Sequence, residues 1–436
     1  MITAASFALA LLVAAPTPEA AAKTVYVKAG KLLDVRKGTL VEDVLLTIQA
    51  GRIVSVASGS SAPAGAQVID LSLSTVLPGL IDCHVHLRSR TDRPDRFAEI
   101  YDFKDSPFDE AFAAVDNARK TLLAGFTTVR DVGSPPFMTV DLRKRIEEGF
   151  VFGPRLVASG PGISISGGHG DLNGYAPQVR VTMFPEERDF GVADGVDQVR
   201  RTVRQQMKYG VDVVKIMATG GVFSRGDQPG APQYSVEELR VAADEAHKGG
   251  RKLAAHAHGA QGIKNALMAG ADSIEHASLI DDEGIELAKK KGAFLVMDIY
   301  NDDYILQEGP RLQLQPEHLE KERAIGQLQR DNFAKAWKAG ARMAFGTDAG
   351  VYPHGDNARQ FATMVRYGMT PAQAIRAATL DAAELIGRPD VGSLEKGRFA
   401  DLIAVQGNPL EDVRLLERVP FVMKGGVVVK DVRASH

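Results

Sequence analysis

Residues 75–86 read TVLPGLIDCHVH, an apolar run that stops on two histidines one residue apart, His84 and His86. Seven more short apolar runs follow: FTTVRDV (126–132), RLVASG (155–160), VDVVKIMA (211–218), KLAAHAH (252–258), SIEHAS (273–278), AFLVMDI (293–299) and RMAFGTD (342–348). Helical patterns separate them, and apolar strands alternating with helices are the signature of βα units around a parallel sheet. Eight such strands are the number that closes a (β/α)8 TIM barrel, so an α/β fold is expected over residues 75–390.

The helices carry their own punctuation. Ser235 and Glu238 form a capping box ahead of ELRVAADEAHKGG, which Gly249 ends, and Thr370, Pro371 and Gln373 open AQAIRAATLDAAELIG, which Gly387 ends. Gly125, Gly270, Gly292 and Gly340 each close a helix just ahead of a strand. The longest irregular segment, 134–195, is broken only by the third strand, and loops of that length in a compact domain are usually functional.

Outside the barrel the pattern changes. TVYVKAGKLLDV (24–35) and VLLTIQAGRIVSVA (44–57) alternate as strands do, with Ala50-Gly51 as a hairpin turn, and the alternation returns in FADLIAVQ (399–406) and FVMKGGVVVKD (421–431), where Gly425-Gly426 makes the turn. Residues 23–74 and 391–436 are therefore expected to pair into one small β-sandwich. Ahead of them, the apolar run Ala4 to Ala15 is too short to span a bilayer and is followed by Pro16, Pro18 and Ala20 to Ala22. It reads as a secretory signal over residues 1–22 that lacks a basic leading segment, with the mature chain exported to a periplasm or the exterior.

Composition bounds the partners. A formal charge of −3 and the absence of a Lys/Arg cluster offer no field for nucleic acid or an anionic membrane. Cys83 is the only cysteine, which excludes an internal disulfide and a cysteine-based zinc knuckle. It alternates with His84 along the strand and should face the other way, as an apolar filler.

What remains is nitrogen and oxygen chemistry. His84 and His86 share a strand face and can chelate one ion. His256 and His258 repeat the spacing; His256 is the favoured ligand because Gly259 turns the chain away at His258, which is left to a supporting or a substrate-contact role. His276 ends the next strand beside the small residues Ala277 and Ser278. Asp348, between Gly346 and Gly350, can bind metal and accept a proton from water, or cap the following helix. A buried Lys215 loses its proton readily, and a neutral amine can take up carbon dioxide to give a carbamate that bridges two cations; a nearby acid would be the simpler partner. His169, on the long loop, reaches the same cup or braces its loop through Asp171. Asp298, Tyr300 and Asp303, after the seventh strand, would hold substrate or cap a helix.

With these residues in place, the chain resembles the binuclear amidohydrolases: HxH after the first strand, Lys after the fourth, His after the fifth and sixth, Asp after the eighth. The stretches 215–235, SGGHGD (166–171) and 254–278 are similar to the branch of Xaa-Pro and Xaa-Arg dipeptidases and ochratoxin-hydrolysing enzymes. The resemblance implies a hydrolase that cleaves an amide next to a C-terminal amino acid. It also implies two divalent ions, zinc foremost, held by His84, His86, Lys215, His256, His276 and Asp348, with a bridging hydroxide and Asp348 as proton shuttle. His169 and Tyr234 would hold the substrate carboxylate or carbonyl, Tyr234 being otherwise an apolar lid residue, and a homo-oligomer is expected. The competing functions are hydrolysis of cyclic amides, lactones or phosphotriesters, and a non-catalytic exported binding protein.

Overall fold

The computed structural model describes residues 24–91, 93–94, 100–101, 104–179 and 190–433; the expected signal at 1–22 lies outside them. Four strands come first, β1 (Val25–Asp34), β2 (Thr39–Gln49), β3 (Arg52–Ser58) and β4 (Gln67–Pro78). The eight apolar runs form β5 (Leu80–Val85), β6 (Phe126–Asp131), β7 (Arg155–Ala158), β8 (Val213–Met217), β9 (Lys252–Gly259), β10 (Ser273–Leu279), β11 (Phe294–Val296) and β12 (Arg342–Met343). The chain closes with β13 (Leu402–Val405), β14 (Phe421–Lys424) and β15 (Val427–Asp431).

Strands β5 to β7 and β8 to β12 make two wholly parallel sheets in chain order. Backbone hydrogen bonds join them at both seams. On one side Asp212 N–H donates to the Ala158 carbonyl and Ile163 N–H to that of Lys215, both at 2.8 Å; on the other, Cys83 N–H donates to Phe345 at 2.9 Å and Asp348 N–H to His84 at 2.8 Å. The eight strands thus follow one another around a ring, and their C-terminal ends, where the candidate ligands sit, share one rim. Cys83 is buried with Ile81, Phe294 and Val296, on the side of its strand away from the cleft that His84 lines.

Both capping boxes form as expected, at Ser235/Glu238 and Thr370/Gln373, and Gly270 (φ 104°) and Gly292 (φ 68°) end their helices in the left-handed region that glycine tolerates. The helix expected through residue 386 is interrupted. An α-helical turn (Pro371–Arg376) passes into a π-helical one (Ala377–Asp381) before α-helix resumes at Ala382–Leu385. There the Ala377 carbonyl accepts Phe345 N–H at 3.0 Å, an acceptor that a continuous α-helix would keep for itself. No helix among the described residues is long and apolar enough to cross a membrane.

In the small domain the two layers are continuous with each other. Strands from both chain ends make one seven-stranded sheet, in the order β15-β14-β13-β4-β1-β2-β3, folded over on itself. Val27, Leu46 and Ile53 from one half meet Leu402, Phe421 and Met423 from the other in a single apolar cluster. Ile53 N–H donates to the Arg398 carbonyl and Gly397 N–H to that of Ile53, at 2.9 and 2.7 Å, which locks the fold. β4 joins the halves because it is long: its start pairs parallel to β1 and its end, Thr75–Pro78, pairs antiparallel to β13. The small domain therefore runs past the expected boundary at residue 74.

Candidate active site

The rim of the ring opens into a cavity of about 500 Å³ lined by His84, His86, His169, Lys215, His256, His258, His276 and Asp348. Two triads bring their ligand atoms within 4.8 Å of one another, His84/His86/Asp348 and His256/His258/His276. A third, His276/Asp298/Asp348, meets the same limit and ties the first two together. The backbone is strained at three residues of this rim: His276 (φ 68°), Ala277 (φ 49°) and Asp348 (φ 56°) all lie in the left-handed region. Side chains rarely adopt it unless surrounding structure over-determines them, and such residues cluster at functional sites.

Each imidazole is aimed by the partner of its other nitrogen. His84 Nδ1 donates to Glu275 Oε2 at 3.0 Å, His86 Nδ1 to the Gly133 carbonyl at 3.0 Å, and His276 Nδ1 to Asp298 Oδ1 at 2.9 Å. These acceptors have no proton to give, so the Nε2 lone pairs of the three rings face the cavity. His256 is held the other way, Nε2 donating to the Gly220 carbonyl at 3.1 Å, which leaves Nδ1 as its ligand atom. The carboxylates are fixed in turn. Arg130, buried across the ring, donates from Nη2 to Glu275 Oε1 at 2.8 Å and from Nε to the Cys83 carbonyl at 2.6 Å. Asp298 accepts from Gln329 Nε2 at 3.0 Å and Asn301 Nδ2 at 2.6 Å.

The residues fit metal ions. His84 Nε2 and Asp348 Oδ1 are buried and without a hydrogen-bond partner among the described residues, although they lie only 3.4 Å apart. Buried polar atoms left unmatched in this way cost free energy that a cation between them would recover. Burial holds the imidazoles of His84, His256 and His258 well below their usual range, hence neutral, which is the form that ligates. Burial alone would raise the Asp348 carboxyl, but the imidazoles of His84 and His86 hold it far below the carboxylate range, hence ionised. Burial also lowers the Lys215 amine to about 8, and among the described residues no carboxylate pairs with it.

His258 and His169 both reach the cavity. His258 sits within the second triad, its Nδ1 2.7 Å from Ser278 Oγ. His169 stacks on His256 with ring centroids 4.2 Å apart, and it is braced by Ser224, whose Oγ lies 2.8 Å from Nδ1, instead of by Asp171. Tyr234 is the correction: it is buried away from the cavity, and its hydroxyl donates to the Ala193 carbonyl at 2.8 Å. Beside Pro232 it looked available, but its hydroxyl is taken up by the Ala193 carbonyl. Of the trio after the seventh strand, Asp298 orients His276, Asp303 pairs with Arg330 at 2.7 Å, and Tyr300 accepts from Arg359.

Arg130, Glu275, Asn301, Gln329 and Glu322 escaped the sequence reading. Glu322 is buried in a cavity wall otherwise made by Tyr304, Ile305, Leu312, Leu314 and Ile325, and burial, with Asp302 and Asp298 nearby, pushes its carboxyl up to about 8. For Arg130 and Glu275 a signal existed: each is a charged residue inside a short run expected to be a buried strand, in or beside a strand that carries a candidate ligand.

Comparison with known proteins agrees with this geometry. The amidohydrolase family model matches residues 75–429. Ochratoxinase of Aspergillus niger is 35% identical over 371 residues, 81% of this chain and 75% of that one. A Xaa-Pro dipeptidase solved with methionine bound in its active site superposes with a TM-score of 0.87 at 37% identity, covering 94% of this chain and 100% of that one. The A. niger ochratoxinase structure gives 0.83 at 32%, covering 94% and 96%. The chain belongs to the amidohydrolase family, whose fold is a TIM barrel with an additional domain. It is an enzyme, a hydrolase acting on amide bonds.

Proposed function

We propose that this enzyme hydrolyses the amide that links an acyl or aminoacyl group to a C-terminal amino acid, using two divalent metal ions, zinc foremost. The observation that carries the reading is the meeting of two ligand triads around the unpartnered pair His84 Nε2 and Asp348 Oδ1. His84, His86 and Asp348 would hold one ion, His256 and His276 the other, and Lys215, as its carbamate, would serve both. Burial of Lys215 without a carboxylate partner, and its lowered proton affinity, support the carbamate. The substrate class is supported by relatives: the dipeptidase holds methionine in its active site, and a prolidase 31% identical to this chain was solved with N-methylphosphonate-L-proline.

When bound, the cations supply a water acidified toward neutral pH and polarise the carbonyl. The chain's own groups do the rest. Water adds to the amide carbon, and its proton passes to the Asp348 carboxylate. As the C–N bond breaks, Asp348 hands that proton to nitrogen, so the amino acid leaves as a neutral amine and the acyl group as a carboxylic acid. The apolar wall of Tyr304, Ile305, Leu312 and Ile325 excludes solvent and receives a side chain.

A panel of dipeptides and N-acyl amino acids, run beside hydantoins, lactones and phosphotriesters, tests this. Within this panel, turnover should be fastest for amides with a free C-terminal carboxylate. Faster turnover of the lactones or phosphotriesters would refute the substrate assignment.

A further inference from the structure

Asn301 opens the helix Asn301–Leu312 that follows β11, and it is 5% exposed. Its Nδ2 donates to two carboxylates at once, Asp298 Oδ2 at 2.6 Å and Asp348 Oδ2 at 3.3 Å, while its backbone N–H donates to the Asp298 carbonyl at 3.1 Å. Carboxylates only accept, so the amide must turn its NH2 group toward them, and its orientation is fixed by chemistry. Its Oδ1 is buried without a partner among the described residues, so the arrangement is held despite an unmatched acceptor.

The two oxygens of Asp348 are thereby divided. Oδ1 faces the ligand side, 3.4 Å from His84 Nε2 and 3.2 Å from His86 Nε2. Oδ2 meets Asn301. A carboxylate oxygen has two lone-pair directions, and the amide N–H takes one of the two on Oδ2. We propose that Asn301 is the positioning residue of the proton transfer: it stops rotation of the Asp348 carboxylate and leaves a single lone pair, on Oδ2, to carry the proton from water to the departing nitrogen. The same amide group links Asp348 to Asp298 and so to His276, which keeps proton carrier and ligand in register. A bond of 3.3 Å in the resting site is of the kind that tightens once substrate is bound.

The inference rests on Asp348 as the proton carrier, and one experiment separates the two. The fastest N-acyl amino acid of the panel is compared with its ester counterpart, in which oxygen replaces the scissile N–H, for wild type, Asn301→Ala, Asn301→Ser and Asp348→Asn. Nitrogen must be protonated to leave, whereas the ester oxygen departs with far less help. In both Asn301 variants kcat for the amide should fall about 10- to 100-fold with KM little changed, and the amide-to-ester ratio should fall about 10-fold, as proton transfer accounts for ~10²–10⁴ of such rates. The ratio does not depend on how much of a variant is folded or loaded with metal. A wild-type ratio in both Asn301 variants, with a depressed ratio in Asp348→Asn, removes the role of Asn301 alone. A wild-type ratio in Asp348→Asn as well removes the proton-carrier reading beneath it.

Discussion

Replacing Glu275 by Gln tests whether the site depends on a charge that never touches the reacting atoms. Glu275 is fully buried and serves three clients, accepting from His84 Nδ1 at 3.0 Å on one oxygen and, on the other, from Arg130 Nη2 at 2.8 Å and the Ser273 hydroxyl. Glutamine keeps the shape but offers one acceptor and one NH2 group, so one client meets a donor. The charge is gone in either orientation, so Arg130, a guanidinium whose side chain is 2% exposed, loses its counter-charge; because Arg130 can only donate, the NH2 group turns toward His84. Breaking a buried pair on one side costs about 3–5 kcal/mol, a large share of a typical stability of ~5–15 kcal/mol. His84, facing that NH2 group, then moves its proton to Nε2, the atom proposed to bind metal, and loss of such a support typically lowers metal affinity ~10- to 100-fold. Glu275→Gln should therefore lose both metal affinity, read by competition with a chelator of known strength, and stability of the metal-free protein, read from the denaturant midpoint. Wild-type values for both would show that the Arg130–Glu275–His84 chain does not govern the site.

Asp348→Asn should retain metal while turnover falls by ~10²–10⁴-fold, the usual worth of a positioned proton carrier; near-normal turnover would remove Asp348 from that role. Lys215→Ala should lose metal and regain part of its activity when acetate or propionate is supplied, and full metal occupancy without added acid would argue against the carbamate. A pH effect belongs to His354, whose ring lies between Thr121 Oγ1 at 3.0 Å and the His86 carbonyl at 3.1 Å, and which burial lowers to about 4. Its folded value is below the unfolded one, so the stability it contributes is complete above pH ~6.5 and is lost as pH falls toward 4, on the order of 3 kcal/mol in all. Denaturant midpoints of metal-free protein from pH 7 to 4 should fall less steeply for His354→Gln than for wild type, and equal slopes would refute the assignment.

The parallel strands, and the histidines and aspartate that gather at their ends, were legible because one pattern, an apolar run stopped by a residue type that can bind metal, recurs at those ends. The supports were less so. Arg130 and Glu275 sit within strands whose apolar neighbours dominate the pattern, and only their placement across the ring shows that they neutralise each other. Asn301 and Gln329 lie on helices, where an amide carries no periodic signal and its role depends on which carboxylate comes near. Tyr234 misled because a tyrosine beside a proline in a loop looks free, whereas its hydroxyl is needed by the Ala193 carbonyl. In the small domain, period-two alternation identified strands and turns correctly, but it tells which side chains share a face and not which strand lies alongside. That β4 makes the two layers one continuous sheet was therefore not legible.

The number of metal ions the chain holds is the most direct test of a two-cation site. Elemental analysis of the purified enzyme, before and after exhaustive chelation, with amide hydrolysis followed in parallel, should find two divalent ions per chain and activity that vanishes and returns with them. A chain that keeps full activity after its metal has been removed would contradict it.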